Sequence, residues 1–257
     1  MKLDGNTILI TGGASGIGFG LAAALEKRGN TVIVTGRDQA KLDQAKQSVP
    51  ALHILRSDVA HVADIDALFE RVTRDFPKLN VLINNAGVMR TFNINKYDGS
   101  LDHLTSEIEI NLSGPIRMVQ KFLPHLTKQE AAAIVNVSSG LAFVPLPISP
   151  VYCATKAGLH SYTLSLRAQL KKTRVKVFEI APPATATALL GDPSSPDLKG
   201  ISVMTVDDLV KACIDGLARD RLEIRPGQAN QLRFMNRVAP DFIFAQLSKT
   251  VDRMLAD

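Results

Sequence analysis

The sequence has few of the features that indicate a disulfide-bonded or membrane-spanning protein. It contains two cysteines, Cys153 and Cys213, which are too few for a disulfide framework and have no partners at metal-ligand spacing. We interpret both as small apolar residues in a protein of a reducing compartment. No stretch approaches the roughly 18 consecutive apolar residues of a membrane span. Residues 1–13 carry an acid and a glycine where a signal peptide has its apolar run, so we expect a cytoplasmic protein.

Blocks of like charge are also lacking. The formal net charge of +5 is spread along the chain, which argues against a nucleic-acid partner and leaves a mild attraction for anions such as phosphates. The histidines form no cluster in the sequence with cysteines or carboxylates, so we predict no metal site. They are His53, His61, His103, His125 and His160.

The chain does contain short β-branched runs that alternate with amphipathic stretches. With 257 residues, 46% of them apolar, it can bury a large core. Strands are predicted at 7–11, 31–36, 51–57, 81–84, 132–139, 174–181 and 221–226. Helices are predicted at 16–28, 38–48, 61–75, 101–125, 150–171 and 206–219. This order predicts an α/β fold, a doubly wound (Rossmann) three-layer sandwich with a seven-stranded parallel sheet, as one domain over residues 1–257.

Two segments fall outside this alternation. Residues 182–200 are rich in proline, glycine and serine, which predicts a substrate loop or lid at about 184–205, with a disordered surface loop as the alternative. The tail at about 227–257 has apolar residues at helical spacing. We expect one or two terminal helices there that pack on the core.

A glycine-rich turn follows the first predicted strand and opens the first predicted helix. Its sequence, TGGASGIGFG at 11–20, has the spacing G-x-x-x-G-x-G from Gly12 to Gly18. A backbone without side chains can approach a pyrophosphate closely, and a helix N-terminus offers it free N–H groups. Tight turns also need glycine, but the strand–turn–helix context predicts a dinucleotide site.

The end of the second predicted strand, TGRD at 35–38, indicates which dinucleotide is bound. NAD sites commonly have an acid here that binds the ribose hydroxyls, but Gly36 occupies that position. Arg37 can pair with a 2′-phosphate, which favours NADP(H). NAD(H) is the alternative, with Asp38 as the ribose-binding acid, although Asp38 is also a candidate cap of the next helix.

Tyr152 and Lys156 are four residues apart in the predicted helix 150–171 and therefore share one face. Such a pair also occurs by chance and needs further support. Because nearby positive charge stabilises a phenolate, we expect Lys156, together with the positive nicotinamide of the oxidised cofactor, to lower the pKa of Tyr152 from its ordinary value of about 10. Tyr152 would then be a proton-exchanging group.

Four segments occur in a characteristic order, namely TGGASGIG (11–18), NNAG (84–87), NVSS (136–139) and YCATK (152–156). Together they resemble the single-domain branch of the short-chain dehydrogenase/reductase superfamily over nearly the whole chain. At a finer level, residues 138–167 and the APP that follows the sixth strand resemble the DltE-type oxidoreductases, which are encoded near teichoic-acid D-alanylation genes in Gram-positive bacteria.

This resemblance implies four catalytic residues. The serine of the family precedes the tyrosine by 13 positions, which selects Ser139 rather than Ser138. By resemblance, Tyr152 exchanges the proton, Ser139 holds the substrate oxygen and Lys156 also binds the nicotinamide ribose. Asn111, in EIEINLSGP, corresponds to the residue that holds a proton-relaying water.

The resemblance also implies a set of dinucleotide contacts. They come from Gly12, Ser15, Gly16, Ile17, Gly18, Arg37, Asp58, Val59, Asn85, Ala86, Gly87, Tyr152, Lys156, Pro182, Thr185 and Thr187. Asp58 resembles the acid that contacts the adenine, with a helix cap as the alternative. In one departure from the family, Pro183 replaces a glycine after the sixth strand, four residues before the carboxamide-binding threonine. Proline fixes φ and lacks an N–H, so we expect a stiffer or differently shaped turn.

These residues predict an NADP(H)-dependent oxidoreductase that interconverts a hydroxyl and a carbonyl on a small-molecule substrate. The apolar segment 141–147 would line the substrate crevice or belong to the core. A non-catalytic dinucleotide-binding regulator is the alternative from another class, but it would not need an activated tyrosine. By resemblance, the protein is a homodimer or homotetramer built on helices 101–125 and 150–171.

Overall fold

The computed structural model describes residues 1–191 and 202–256. Within them, seven parallel strands form one sheet in the order β3-β2-β1-β4-β5-β6-β7, which confirms the predicted doubly wound fold. The strands are β1 (Thr7–Thr11), β2 (Thr31–Gly36), β3 (His53–Arg56), β4 (Leu79–Asn84), β5 (Ala132–Val137), β6 (Val175–Ile180) and β7 (Glu223–Ile224).

Helices cover both faces of this sheet. They are α1 (Gly16–Glu26), α2 (Gln39–Ser48), α3 (Val62–Asp75), α4 (Leu101–Ile108), α5 (Gly114–Leu126), α6 (Pro150–Gln169), α7 (Val206–Ala218), α8 (Gln228–Val238) and α9 (Pro240–Ala256). No helix of the described residues is long and apolar enough to cross a membrane.

The helix predicted over 101–125 is present, but a π-helical turn, Glu109–Ser113, lies within it between α4 and α5. Pro115 has no N–H to donate to the carbonyl of Asn111, four residues earlier, so the α-helical ladder is interrupted there. The N–H of Gly114 instead bonds the carbonyl of Glu109, five residues back. Such turns occur frequently at functional sites.

The strands in the middle of the sheet are buried on both faces, as their nearly continuous apolar runs indicate. All six residues of β5 are buried. One core cluster, which includes Ile10 and Phe178, lies on one face of the sheet, and a second, which includes Leu82 and Phe122, lies on the other.

The strand order reverses direction between β1 and β4. From β1 the chain proceeds outward to β2 and β3, and from β4 it proceeds the other way. Loops that follow the carboxyl ends of these two strands diverge and leave a crevice, which is where ligands bind in open α/β sheets. The glycine-rich turn follows β1 and the NNAG segment ends β4, so the fold brings both to this crevice.

The predicted substrate loop begins and ends in paired backbone. The N–H of Ala186 donates to the carbonyl of Met204 at 2.9 Å, and the N–H of Met204 donates to the carbonyl of Ala184 at 2.9 Å. Residues 192–201 of this loop lie outside the described residues.

The predicted C-terminal tail forms two helices, α8 and α9. Their residues Leu232, Ile243 and Leu247 pack against a small cluster around Phe143. The tail therefore covers the segment that follows β5, which also carries Ser139.

Candidate active site

The glycine-rich turn packs so closely on the end of β4 that Gly12 and Gly18 leave no room for a side chain. A Cβ on Gly12 would lie 2.8 Å from the Cα of Ala86, and a Cβ on Gly18 would lie 2.4 Å from the side-chain nitrogen of Asn85. Gly12 also has a φ of +64°, which L side chains rarely adopt. The close packing of this turn on the end of β4 accounts for both glycines.

Asn85 and Thr11 hold this turn in place. The Asn85 side chain donates to the backbone carbonyls of Thr11 and Gly12, each at 3.0 Å. The Thr11 hydroxyl accepts the backbone N–H groups of Asn85 and Ala86, each at 3.1 Å. Sequence analysis placed Asn85 among the dinucleotide contacts and missed Thr11. In the structure, the side-chain amide of Asn85 binds the protein's own backbone.

A cleft of about 230 Å³ lies beside the turn. Seven of the predicted dinucleotide-binding residues line it, namely Gly12, Ser15, Arg37, Asp58, Val59, Ala86 and Gly87. Two other predicted contacts, Gly16 and Gly18, belong to the first turn of α1, where backbone N–H groups are free to bind an anion. The side chain of Ile17 packs against the core. The cleft, its glycine floor and the helix N-terminus fit a dinucleotide.

Arg37 and Asp58 face each other across one end of this cleft. An Arg37 guanidinium nitrogen lies 3.8 Å from an Asp58 carboxylate oxygen, and the Arg37 side chain is 58% exposed, so it can reorient toward a ligand. Asp58 does not cap α3, because the N-cap residue of that helix is His61. The Asp58 carboxylate accepts the backbone N–H of Ala60 at 3.0 Å.

Asp38 caps α2. Its carboxylate accepts the backbone N–H of Lys41 at 3.2 Å. The capping role that the sequence left open for Asp38 is therefore present. Asp38 also lines the cleft beside the glycine-rich turn, so its ribose-binding role stays an open alternative.

Tyr152 and Lys156 lie in the first turns of α6, which begins at Pro150. Both are buried, with exposed fractions of 5% and 3%. The Lys156 ammonium nitrogen lies 5.6 Å from the centroid of the Tyr152 ring and donates to the carbonyl of Val137, at the end of β5, at 2.9 Å. The predicted juxtaposition of the phenol and the ammonium group is present.

Ser139 lies two residues beyond the end of β5. Its backbone is extended, and its hydroxyl accepts the N–H of Leu141 at 3.1 Å, which begins a short 3₁₀ turn, Gly140–Ala142. The same hydroxyl is close enough to the Tyr152 phenol to lower its pKa. Ser139 and Tyr152 are therefore neighbours in the site.

Asn111 lies in the π-helical turn and is fully buried. Its side-chain oxygen accepts the N–H of Val88 at 2.9 Å, and its side-chain nitrogen donates to the carbonyl of Val88 at 2.8 Å and to the Thr155 hydroxyl at 3.2 Å. A Cβ on Gly87 would lie 3.3 Å from the Asn111 oxygen and 3.4 Å from the Lys156 nitrogen. The four predicted catalytic residues thus surround the carboxyl ends of β4 and β5.

The loop after β6 contacts both the turn that follows Ser139 and the glycine-rich turn. The carbonyl of Pro182 accepts the N–H of Gly140 at 2.8 Å, and the Thr185 hydroxyl donates to the carbonyl of Pro183 at 2.9 Å. A Cβ on Gly16 would lie 3.2 Å from the methyl group of Thr187. Thr187 therefore lies against the glycine-rich turn, whereas the Thr185 side chain bonds its own loop.

Burial changes the acidity of both members of the Tyr152–Lys156 pair. It raises the pKa of Tyr152 to about 12, against a lowering by the Ser139 hydroxyl and with smaller increases from Cys153 and Glu107. It also lowers the pKa of Lys156 to about 8. Among the protein's own groups, desolvation of the phenolate is the largest influence on the pKa of Tyr152. The predicted lowering also invokes the positive nicotinamide of the oxidised cofactor, so it stays a prediction for the complex with cofactor.

Sequence analysis missed Glu107, a fully buried carboxyl group on α4. It accepts the backbone N–H of Arg90 at 2.8 Å, and burial raises its pKa. Its charge is one of the causes that raise the pKa of Tyr152. No sequence spacing links Glu107 with Arg90 or Tyr152. The sequence shows only a single glutamate in an otherwise ordinary helix, which does not predict a role in the site.

The expectation that no histidine clusters with carboxylates is also wrong. The fold brings His160, Glu179 and Glu223 together, with ligand atoms within 4.8 Å of one another. Two arginines already face this cluster, because Arg233 lies 3.2 Å and Arg225 lies 3.5 Å from Glu223. These guanidinium groups supply the positive charge that a metal ion would bring.

Comparisons with known proteins agree with this geometry. Residues 6–197 match the family described as short chain dehydrogenase. The chain is 43% identical over 250 residues to the uncharacterized oxidoreductase DltE of Bacillus subtilis, which covers 96% of this chain and 98% of that protein.

Two solved structures are also similar. A short-chain dehydrogenase from Burkholderia cenocepacia in complex with NADP has a TM-score of 0.82 and 26% identity, covering 96% of this chain and 99% of that one. A 3-ketoacyl-(acyl-carrier-protein) reductase from Brucella melitensis complexed with NADH has a TM-score of 0.79 and 27% identity, covering 89% and 100%.

The chain therefore belongs to the short-chain dehydrogenase family. It is an oxidoreductase of that family that acts on CH–OH groups with a nicotinamide dinucleotide as acceptor, as the sequence predicted.

Proposed function

We propose that the protein is an NADP(H)-dependent oxidoreductase that interconverts a hydroxyl and a carbonyl through Asn111, Ser139, Tyr152 and Lys156. The observation that carries this proposal is the buried Tyr152–Lys156 pair, with the Lys156 nitrogen 5.6 Å from the phenol ring and the Ser139 hydroxyl beside it. A regulator that only bound a dinucleotide would not need this arrangement.

Each of these residues has a defined role in the proposed reaction. The dinucleotide supplies or accepts the hydride. Ser139 donates a hydrogen bond to the substrate oxygen, and Tyr152 gives that oxygen its proton. Because burial keeps the pKa of Tyr152 at about 12, the phenol retains its proton at neutral pH, which suits reduction of a carbonyl.

Lys156 and Asn111 complete the proton path. Lys156 returns a proton toward Tyr152 and binds the nicotinamide ribose. The carbonyl of Asn111 lacks the N–H that an α-helix would offer it, because residue 115 is proline. We assign the water-holding role to this carbonyl, since the Asn111 side chain already bonds Val88 and Thr155.

The preference for NADP(H) is supported by the charges at the adenosine end. Gly36 leaves space where NAD-specific sites place an acid, and Asp38 is engaged at Lys41. A cavity of about 540 Å³ next to Arg37 is also lined by Arg56 and Arg71. Asp58 and Asp64 line the same cavity, so its three arginines face two carboxylates and leave a small excess of positive charge. That excess suits a 2′-phosphate.

The biological setting follows from similarity alone. The chain is 43% identical to the uncharacterized oxidoreductase DltE of Bacillus subtilis. The proposal of a substrate linked to cell-envelope teichoic-acid metabolism rests on the resemblance of the chain to DltE-type oxidoreductases, and a cytoplasmic location is part of the same proposal. A homodimer or homotetramer built on α4–α5 and α6 completes the proposal, and light scattering of the purified protein would measure that state.

The test is NADPH oxidation with a panel of small aldehydes and ketones. We expect Tyr152→Phe to lower kcat by at least about 100-fold, the usual contribution of a positioned proton donor, while the Kd for NADPH stays within about twofold. Tyr162→Phe, on the same helix but packed in the core, is the matched control and should retain activity. Equal turnover by Tyr152→Phe and wild type would refute the proposal.

A further inference from the structure

Glu179 is a fully buried acid on β6 that the proposed chemistry does not use. Its carboxyl group accepts the Ser138 hydroxyl at 2.5 Å and faces Nδ1 of His160 at 2.8 and 3.0 Å. Buried carboxyl groups are retained only where hydrogen bonds compensate for lost hydration. The Ser138 hydroxyl and Nδ1 of His160 are therefore held at fixed positions relative to the Glu179 carboxyl group.

The hydrogen bonds define the tautomer of His160. Arg233, on α8, has a guanidinium nitrogen 3.3 Å from Nε2 of His160. Arginine can only donate, so Nε2 must accept and Nδ1 must carry the proton. His160 then donates from Nδ1 to Glu179, which gives a continuous chain from Arg233 through His160 and Glu179 to Ser138.

This chain meets the candidate active site at two places. Ser138 directly precedes Ser139 in the sequence. His160 continues the face of α6 that presents Tyr152 and Lys156, since the three residues are spaced by four. The chain thus joins the backbone at Ser139 to the helix that carries the proton donor.

The same chain holds the wall beyond Ser139. The Phe143 ring is in edge contact with His160, at 5.1 Å between centroids, and the Arg233 guanidinium carbon lies 4.7 Å from its centroid. A Cβ on Gly140 would lie 3.3 Å from Ala229 of α8, so α8 packs directly on the turn after Ser139. Arg233 also forms an ion pair with Glu223 at 3.2 Å, without the alignment of a hydrogen bond.

We propose that Glu179 and Arg233 are positioning residues which, through His160, hold Ser138 and the neighbouring Ser139 in place, so that the C-terminal helix α8 is part of the active-site support. This inference rests on the proposed catalytic role of Ser139. Precise placement of a reacting group strongly affects rate, so loss of the chain should lower kcat more than it weakens dinucleotide binding.

Hydrogen–deuterium exchange of residues 138–143 in the full-length protein tests the placement without a substrate. We expect Glu179→Gln and Arg233→Gln each to increase exchange there by about tenfold, since both open the same support. Arg237→Gln is the matched control, because Arg237 is exposed on the same helix. Unchanged exchange in both variants, or an equal increase in Arg237→Gln, would overturn the proposal.

Kinetics and spectroscopy separate positioning from a general loss of structure. In the carbonyl assay, Glu179→Gln and Arg233→Gln should lower kcat by about tenfold with little change in the Kd for NADPH, and the double variant should be no slower than Glu179→Gln alone. Additive losses would contradict a single hydrogen-bond chain.

NMR chemical shifts of the imidazole nitrogens in ¹⁵N-histidine-labelled protein should show a neutral His160 with the proton on Nδ1. A proton on Nε2 would contradict the proposed hydrogen-bond chain.

Two further outcomes are distinguishable. If Glu179→Gln does not fold, Ser138→Ala and Arg233→Gln carry the same test from the two ends of the chain. If turnover proves independent of Tyr152 while exchange at residues 138–143 responds as expected, the proposed function fails and the support remains. Tyr152-dependent turnover with no response at residues 138–143 refutes the support alone.

Discussion

The Lys156 ammonium nitrogen lies 5.6 Å from the centroid of the Tyr152 ring. Burial raises the pKa of Tyr152 and lowers the pKa of Lys156, so it favours the neutral form of each group. Both shifts have one cause, which is the removal of water from the carboxyl end of β5. The pair therefore combines a phenol that keeps its proton with a lysine that loses its own more readily than a lysine in water.

Replacing Lys156 by methionine should stabilise the protein and abolish its activity. The pKa of Lys156 falls from its ordinary value of 10.5 to about 8, so the folded state holds its charge at a cost below pH 8. We expect Lys156→Met to raise the free energy of unfolding at neutral pH by about 1 to 3 kcal/mol, after allowing for the lost bond to Val137. Chemical denaturation measures this difference, and a less stable variant would contradict it.

The pH dependence of the same comparison has a definite sign. Between about pH 8 and pH 10.5 the unfolded lysine keeps a proton that the folded one has lost. The unfolded state then binds more protons, so wild-type stability rises with pH in this window. The advantage of Lys156→Met should shrink across it, and an advantage that grew with pH would show that the sign is wrong.

Ser139→Ala should lower kcat by about 100-fold, as expected for the loss of a hydrogen bond to developing negative charge on the substrate oxygen. The Kd for NADPH should change little, because Ser139 does not line the cleft at the glycine-rich turn. Steady-state kinetics with fluorescence titration measures both quantities. Ser165→Ala, at an exposed position of α6, is the control, and an effect on KM alone would make Ser139 a binding residue.

Arg37→Ala should weaken NADPH binding by about 1.5 to 3 kcal/mol, the scale of a hydrogen bond to a charged group, and hardly change NADH binding. Adding Gly36→Asp to Arg37→Ala should favour NADH, because the new carboxylate accepts the ribose hydroxyls and repels a phosphate. Fluorescence titration at fixed ionic strength gives both dissociation constants.

Asp38→Asn is the control for this assignment. Asparagine also caps helices, so the variant should keep its affinity for both dinucleotides if Asp38 only binds the N–H of Lys41. A wild-type protein that bound NADH at least as tightly as NADPH, with NADH affinity lost in Asp38→Asn, would reverse the proposed preference.

Asn111→Ala should destabilise the fold as well as remove activity. The change leaves both backbone groups of Val88 without their present side-chain partner in a half-buried loop. We expect the free energy of unfolding to fall by about 2 to 4 kcal/mol, measured by denaturant titration. Asn95→Ala, at an exposed position, should stay within about 0.5 kcal/mol of wild type, and a similar value for Asn111→Ala would contradict this role.

The parts of the fold that the sequence predicted well depend on local patterns. Strands such as β1 and β2 are continuous apolar runs whose observed bounds equal the predicted ones. The glycine-rich turn and the Tyr152–Lys156 spacing are also local, so their placement in the structure could be expected. The π-helical turn at Asn111 also has a local cause, namely Pro115, which apolar periodicity alone does not show.

The remaining features arise from contacts between residues far apart in the chain. Nothing in the sequence links His160, Glu179 and Arg233, which meet only because β6, α6 and α8 are neighbours in the fold. The raised pKa of Tyr152 among the protein's own groups could not be predicted for the same reason, since the helix face showed the nearby cation but not the depth of burial. Local pattern gives the residue types of a site, whereas burial and tertiary neighbours determine their chemistry.

The sheet ends on both sides in its shortest strands, β3 with four residues and β7 with two. An outermost strand offers unpaired N–H and C=O groups on which a strand of another molecule can assemble. Because both outermost strands are short, they expose few such groups, and β3 begins and ends with the exposed polar residues His53 and Arg56. Strand-to-strand aggregation is therefore disfavoured by the architecture itself, and contacts between copies are left to the helical faces.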